Sequence, residues 1–166
     1  SGRFGSFIPH ADRFAAGFFG ISAAETAATD PQQRLLLEHG YASLHAVRER
    51  REGLHAADVG IFLGIMNVDF GAMFVESSSV YAATGGTISI AAGRVSFALG
   101  MQGPCASYDT ACSSALVAAH AGSSALRFNE CESSLLLAVS LMLSPQVCKE
   151  LISANLKPQL PMHISC

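Results

Sequence analysis

Charged residues are scarce in this chain. Asp, Glu, Lys and Arg make up 14% of the 166 residues and hydrophobic residues make up 50%, whereas a soluble domain usually has about 25% charged residues. The formal net charge is −3 and there is no basic block, which argues against nucleic acid or an anionic membrane surface as the main partner. The length predicts one domain with a large core.

Long hydrophobic runs are also missing. The longest one, residues 59–66, is far shorter than the roughly 18 residues of a transmembrane helix, so no membrane span is predicted. The five cysteines contain no CxxC pair, and no two histidines have the spacing of metal ligands. These absences argue against a disulfide framework or a zinc site. We therefore expect an intracellular, reducing compartment, either the cytoplasm or an organelle.

The first regular elements are predicted from residue 30 onward. Asp30 is suited to be an N-cap, Pro31 occupies the first helical position, and Gln33 completes the pattern of a capping box. The apolar spacing that follows predicts a helix to about Arg50. The continuous apolar run over residues 58–66 is typical of a buried parallel strand. Residues 1–29 and 67–87 are expected to be mainly loops.

The second half of the chain predicts an alternation of helices and strands. Residues 88–99 form an almost wholly apolar, buried helix that ends at Gly100, a residue suited to a left-handed cap. A strand over 105–110, a helix over 112–127 and a strand over 134–143 then make a β-α-β unit. The expected fold class is therefore α/β.

One cysteine has a position that suggests chemistry. Cys112 lies at the predicted turn between a strand and a helix, among small residues. The free N–H groups of a helix's first turn favour the thiolate form of such a cysteine. They can also stabilise the oxyanion that forms when a thioester carbonyl is attacked. The alternative, which position alone leaves open, is a buried cysteine that only packs.

The sequence around Cys112 is a more specific indication of function than its position. DTACSSALVAAH, residues 109–120, resembles the active-site signature of the beta-ketoacyl synthase (ketosynthase) family, in particular the condensing domains of polyketide and type I fatty acid synthases. Five further stretches agree with that family in order and spacing, and the resemblance covers residues 2–152. The five stretches are FFGIS, DPQQRLLLE, VGIFLG, the dipeptide TG with the later AGRVSFALGMQGP that ends at Pro104, and LMLSP.

The resemblance implies a fold. This fold would be a partial thiolase-like, layered αβαβα domain over residues 1–152, without its first strand, followed by a divergent tail over 153–166.

The resemblance also implies a role for Cys112. It would be the nucleophile that accepts an acyl chain from the phosphopantetheine thioester of an acyl carrier protein, with its own N–H as half of an oxyanion hole. No bound cofactor is expected. Residues 91–99 and 107–110 resemble parts of the family's dimer interface.

The chain also departs from the family. Condensation needs two family histidines, in an HGTGT-like motif and a GH motif, and neither motif is present. Where the family usually has Gly-Gly, this chain has Leu137-Ala138. Where the family has an Asp-Gly-rich segment, this chain has residues 155–166. The family's first strand and Gly-rich opening are expected to lie upstream of residue 1. The six histidines, none in the expected context, are His10, His39, His45, His55, His120 and His163.

These departures leave two functions open. The first is an acyl-accepting fragment of a condensing enzyme, incomplete alone, whose partners are a carrier protein and a C-terminal ketosynthase half, a dimer partner or a larger complex. The second is a non-catalytic subunit, derived from a ketosynthase, with a structural or interaction role.

Several other residues favour ordinary roles. His120 lies more than two helical turns from Cys112, so a packed histidine is favoured over a catalytic base. Asp109 either orients the thiolate or, as is more usual for an Asp that closes a strand, bonds within the turn. Cys105 and Cys131 are predicted to be packing residues. Cys148 and Cys166 are candidate surface thiols.

Overall fold

Helices alternate with strands, as expected for an α/β protein. The computed structural model describes residues 8–9, 11–47, 55–66, 69–73 and 81–144. In chain order the elements are α1 (Ala16–Phe19), α2 (Ala23–Ala28), α3 (Pro31–Val47), β1 (Val59–Ile65), α4 (Asp69–Met73), α5 (Ala82–Gly85), α6 (Ile88–Leu99), β2 (Cys105–Tyr108), α7 (Ser114–Arg127) and β3 (Ser133–Val139).

Strand β1 is the centre of a parallel sheet with the order β2-β1-β3. Ile61 lies between Cys105 of β2 and Leu135 of β3. Every residue of β1 is buried, because strands cover both of its edges and helices cover both faces. A strand in this position has no solvent face and so no polar alternation. The predicted strand over 58–66 is confirmed, one residue shorter at each end.

The core has two parts, one on each face of the sheet. On one face, Leu37 of α3 and Val95 of α6 pack with Ile61 of β1. On the other face, α7 packs on the sheet, where Ala118 lies with Phe62 of β1. Helix α7 links β2 to β3, so the predicted β-α-β unit is present, with β1 between its two strands. Strand β3 ends at Val139 and not at Leu143 as predicted.

Helix α6 has the predicted bounds and the predicted cap. Gly100 takes the left-handed conformation (φ 71°, ψ 29°), and the N–H of Met101 donates to the carbonyl of Ser96 at 2.9 Å. This is the hydrogen bond that ends a Schellman motif. The predicted burial holds only for the inner side of the helix, since Phe97 on the outer side is 89% exposed.

The start of α3 is confirmed, but one residue has a different partner from the predicted one. Asp30 Oδ1 accepts the N–H of Gln32 at 2.7 Å, as an N-cap does. Gln33 does not complete a capping box. Its Nε2 donates to the carbonyl of Thr87 at 3.3 Å, and the Asp30 N–H donates to the carbonyl of Gly85 instead. The helix start is thereby tied to the segment that leads into α6.

Two stretches that were predicted as loops contain short helices. Helices α1 and α2 lie within residues 1–29, and α4 and α5 within residues 67–87. Each has six residues or fewer, which is too short for an apolar period to be visible. Helix α2 does have a local start signal, because the Ser22 hydroxyl accepts the N–H of Glu25 at 3.1 Å. That is half of a capping box.

Some predictions lie outside the described residues. They are the last turn of the first helix over residues 48–50, the proline of LMLSP, the tail over 153–166, Cys148, Cys166, His10 and His163.

The buried N-cap makes stability depend on pH. Burial raises the pKa of Asp30, and the nearby Asp69 carboxylate adds to this, although hydrogen bonds from Gln32 and the charge of Arg34 act in the opposite direction. A carboxyl group with a raised pKa in the folded state stabilises the fold fully below its unfolded pKa, and this contribution is lost as the pH rises through the folded value.

We therefore expect Asp30→Asn to increase the free energy of unfolding at neutral pH and to lose this advantage in acid. Asparagine caps helices as well as aspartate does, so the cap is retained while the buried charge is removed. Urea unfolding between about pH 4 and about pH 7 measures the effect. The control is Asp12→Asn, at an exposed aspartate, which should show no such trend. An advantage of Asp30→Asn that is constant over this range would contradict the prediction.

Candidate active site at the carboxyl edge of the sheet

The three parallel strands end at the same edge of the sheet. Strand β1 is followed there by α4, β2 by the turn that contains Cys112, and β3 by residues 140–144. In open parallel sheets, ligands bind outside the carboxyl ends of the strands. A ligand-binding site is therefore expected at this edge of the sheet.

The turn after β2 is held in an unusual backbone conformation. Ala111 has a φ of 55°, in the left-handed region that residues with a Cβ rarely occupy. The Ala111 N–H donates to Asp109 Oδ1 at 3.1 Å. Asp109 is therefore the hydrogen-bonding turn residue that its position at a strand end suggested.

Cys112 is exposed and precedes the helix. Helix α7 begins at Ser114 and not at Cys112 as predicted. The N–H groups of Ser113 and Ser114 donate to the carbonyls of Thr110 (3.3 Å) and Ala111 (3.1 Å), so they are already used by the turn. Cys112 forms an isolated β-bridge with Thr110 within this turn. Its side chain remains exposed.

A buried serine joins the two sides of the turn. The Ser114 hydroxyl accepts the N–H of Thr110 at 2.8 Å and donates to the carbonyl of Ala111 at 2.7 Å, and Ser114 is only 5% exposed. The sequence predicts for Ser114 only that it is a small neighbour of Cys112. Serines near helix starts often bond to the local backbone, and that tendency was the available signal.

The first turn of α7 lies directly on β1. A Cβ built on Gly64 would lie 2.6 Å from the backbone N of Ala115 and 2.6 Å from the carbonyl carbon of Ser114. Gly64 pairs with Tyr108 at the end of β2. The absence of a side chain at Gly64 therefore sets how closely the Cys112 turn approaches the sheet.

Two buried polar residues hold the segment that follows β3. Asp69 Oδ2 accepts the N–H groups of Leu143 and Ser144, both at 2.7 Å. Gln32 Oε1 accepts the N–H of Leu141 at 3.0 Å. These bonds replace strand pairing beyond Val139 and fix this segment at the same edge as Cys112. The sequence does not predict that Asp69 or Gln32 belongs to the site.

The other described cysteines differ from each other. Cys131 is buried, as predicted, and burial raises the pKa of its thiol. Cys105 is exposed, so the prediction that it packs is wrong. The physical reason is its place at the start of β2, which has a neighbouring strand on one side only within the described sheet.

The histidines that the structure describes lie outside the Cys112 turn. His120 is exposed on α7, two turns beyond the start of that helix, so the expectation of a packed histidine is wrong. The described histidines that remain, His39, His45 and His55, are also exposed.

The described residues contain neither a membrane-spanning helix nor a cluster of metal ligands. None of their helices combines the length and the hydropathy that crossing a membrane requires. Their His, Cys, Asp and Glu side chains form no group of three or more that could hold a metal ion.

Comparison with known proteins identifies relatives of the whole described region. The family described as "Beta-ketoacyl synthase, N-terminal domain" matches residues 1–159. The chain is 43% identical over 145 residues to the phenolphthiocerol synthesis polyketide synthase type I Pks15/1 of Mycobacterium bovis, a match that covers 87% of this chain and 7% of that protein. It is 43% identical over 136 residues to the reducing polyketide synthase ppsB of Aspergillus oryzae, covering 80% of this chain and 6% of the relative.

A solved structure shows the same fold. The ketosynthase from module 6 of the bacillaene synthase of Bacillus subtilis 168 superposes with a TM-score of 0.80 at 32% identity. The match covers 89% of this chain and 25% of that one, so the chain corresponds to a small part of each relative. Its α/β fold is thiolase-like, and the chain belongs to the beta-ketoacyl synthase family through the N-terminal domain of that family.

Proposed function

We propose that this chain is the acyl-accepting part of a polyketide or fatty acid condensing enzyme, with Cys112 as its nucleophile. The observation that carries the proposal is the position of Cys112, exposed in the turn between β2 and α7. Membership of the ketosynthase family supports it. So does the DTACSS sequence in which Cys112 lies.

The chemistry of loading is a thioester exchange. The Cys112 thiolate attacks the carbonyl carbon of an acyl thioester on the phosphopantetheine arm of an acyl carrier protein, and a tetrahedral oxyanion forms. In this reaction the Cys112 N–H donates to that oxyanion, and such donors lower the barrier to acyl transfer. When the oxyanion collapses, the bond from the carbonyl carbon to the phosphopantetheine sulfur breaks. The departing thiolate takes up a proton from water, and the acyl group stays on Cys112.

The later steps of condensation need groups that these 166 residues do not contain. No HGTGT-like or GH motif occurs in the sequence, and every described histidine lies outside the Cys112 turn. We propose a division into a ketosynthase-like region, residues 1–152, and a tail, residues 153–166. In this proposal the chain accepts an acyl group but depends on another polypeptide segment for the acid and base groups of condensation.

The purified chain should therefore not release CO₂ from a malonyl thioester. General acid/base and electrostatic groups contribute roughly 10²-fold each or more, so two missing histidines should reduce turnover to background. Radiolabelled malonyl carrier protein gives the measurement, with the Cys112→Ala variant as the control. Release of CO₂ that is lost in Cys112→Ala would overturn this part of the proposal, because it requires a base that is not identified here.

The exposed apolar surface supports a partner. On α7, Leu116 is 74% exposed, and Phe128 just beyond the helix is 75% exposed. A partner that covered these large apolar side chains would remove them from water, which is favourable. We propose that a C-terminal ketosynthase half covers this helix, within a dimer or a larger assembly.

The alternative function is a non-catalytic subunit of a larger complex. The absence of both histidine motifs favours it, because a purely structural role does not need them. The two functions differ in one property that can be measured. An acyl-accepting chain forms a thioester on Cys112, and a structural subunit does not.

A further inference from the structure

We propose that Ser114 is a positioning residue for acyl transfer. It keeps the Cys112 N–H directed at the reacting carbonyl by holding Ala111 in its left-handed conformation. This inference rests on the proposed function of Cys112.

The conformation of Ala111 needs support from its surroundings. A left-handed φ of 55° brings the Cβ of an alanine too close to the following carbonyl oxygen. Such residues persist where the surrounding structure holds them, and they occur often at active sites. The residue that follows Ala111 is Cys112, so the direction of the Cys112 N–H depends on the Ala111 torsion angles.

Ser114 holds both sides of this residue. Its hydroxyl accepts the N–H of Thr110, which precedes Ala111, and donates to the carbonyl of Ala111 itself. Both bonds are 2.8 Å or shorter, and the Ser114 side chain that makes them is 5% exposed.

The neighbouring serine provides a comparison. The Ser113 hydroxyl donates to the carbonyl and to the hydroxyl oxygen of Thr110, so its bonds go to Thr110 and not to Ala111. Ser113 is exposed. Removing its hydroxyl therefore leaves both Ser114 bonds around Ala111 in place.

Two reactions of the Cys112 thiol separate positioning from simple exposure. Acylation by a thioester passes through an oxyanion and so depends on the direction of the Cys112 N–H. Alkylation by iodoacetamide forms a bond from sulfur to a methylene carbon, and iodide leaves. No oxyanion forms in that step, so the direction of the N–H has no role in it.

The test compares both rates at Cys112 in the purified chain. The probes are octanoyl-N-acetylcysteamine and iodoacetamide, and peptide mass spectrometry assigns the modified residue. We expect Ser114→Ala to slow acylation about tenfold, less than the roughly 10²-fold cost of losing an oxyanion donor altogether, and to leave alkylation unchanged. Ser113→Ala should change neither rate.

A second variant tests the link through Ala111. Glycine adopts the left-handed conformation without the steric cost of a Cβ. Ala111→Gly should therefore restore part of the acylation rate that Ser114→Ala loses. A serine that only contributed packing would not be replaced by a glycine three residues earlier in the chain.

The buried thiol of Cys131 reports whether each variant is folded. If Ser114→Ala exposes Cys131 to iodoacetamide, or slows both reactions of Cys112 equally, Ser114 has a structural role and the inference is wrong. It is also wrong if Ser114→Ala is acylated as fast as the parent chain. If the parent chain itself is not acylated at Cys112, the proposed function fails first, and the two failures are thus distinguished.

Discussion

Replacing Cys112 with alanine is expected to abolish acyl loading of the chain. In the proposed reaction the Cys112 sulfur forms the only new covalent bond, so its removal leaves no acceptor. The matched control is Cys105→Ala, which removes an exposed thiol from the preceding strand and should leave loading unchanged. Incubation with octanoyl-N-acetylcysteamine, followed by intact-mass and peptide analysis, measures the loss.

The same chain offers an internal comparison of thiols. With a limiting amount of iodoacetamide, Cys112 should react before Cys105, because Cys112 is exposed in a turn outside the sheet and Cys105 is part of strand β2. Cys131 should not react while the chain is folded, since it is buried. Acyl groups found on Cys105, Cys148 or Cys166 with Cys112 unmodified would remove the nucleophile argument and favour the structural subunit.

Gly64→Ala is expected to destabilise the fold and to displace the helix that follows Cys112. The added methyl would lie 2.6 Å from backbone atoms of Ser114 and Ala115, and backbone cannot rotate away as a side chain can. Overpacking of a core costs about 1–3 kcal/mol, occasionally more, so the urea midpoint should fall by a corresponding amount. Acyl loading of any folded fraction should fall as well, because α7 must shift away from β1 and take the Cys112 turn with it.

A glycine elsewhere in the fold provides the control. A Cβ at Gly93 of α6 would meet its nearest neighbour, Cys105 Sγ, at 4.0 Å. Alanine has the higher helix propensity, by up to about 1 kcal/mol, so Gly93→Ala should leave the chain as stable as before or more stable. Equal effects of the two substitutions would show that the close contact at Gly64 does not position α7.

Local signals in the sequence were sufficient for much of the fold. The apolar run of β1, the Asp-Pro start of α3 and the glycine that ends α6 each act within a few residues of the feature they determine, and all three are confirmed. The placement of Cys112 at a strand-to-helix turn also follows from local pattern. Helix α2 also has a local signal, the pair Ser22 and Glu25. The helix is too short for an apolar period to support that signal.

The remaining features depend on residues that are distant in the chain. The bonds from Asp69 to Leu143 and Ser144 span 74 and 75 positions, and no single-sequence pattern indicates which carboxylate will meet which backbone. The exposure of Cys105 follows from the order of strands and not from its apolar neighbours. Ser114 lies between these cases, because its bonds are local but depend on the left-handed conformation of Ala111.

The position of β1 at the centre of the sheet has a consequence for how the chain folds. Of the three described strands, β1 is synthesised first. The residues that pair with Ile61, which are Cys105 and Leu135, are made later. Contacts between residues so far apart slow folding, since the closure of long loops must precede the gain from pairing. On the ribosome, β1 therefore emerges as an apolar segment before either of these two partners, and one of its edges still lacks its partner until β3 has been synthesised. During that interval it is a segment at risk of aggregation.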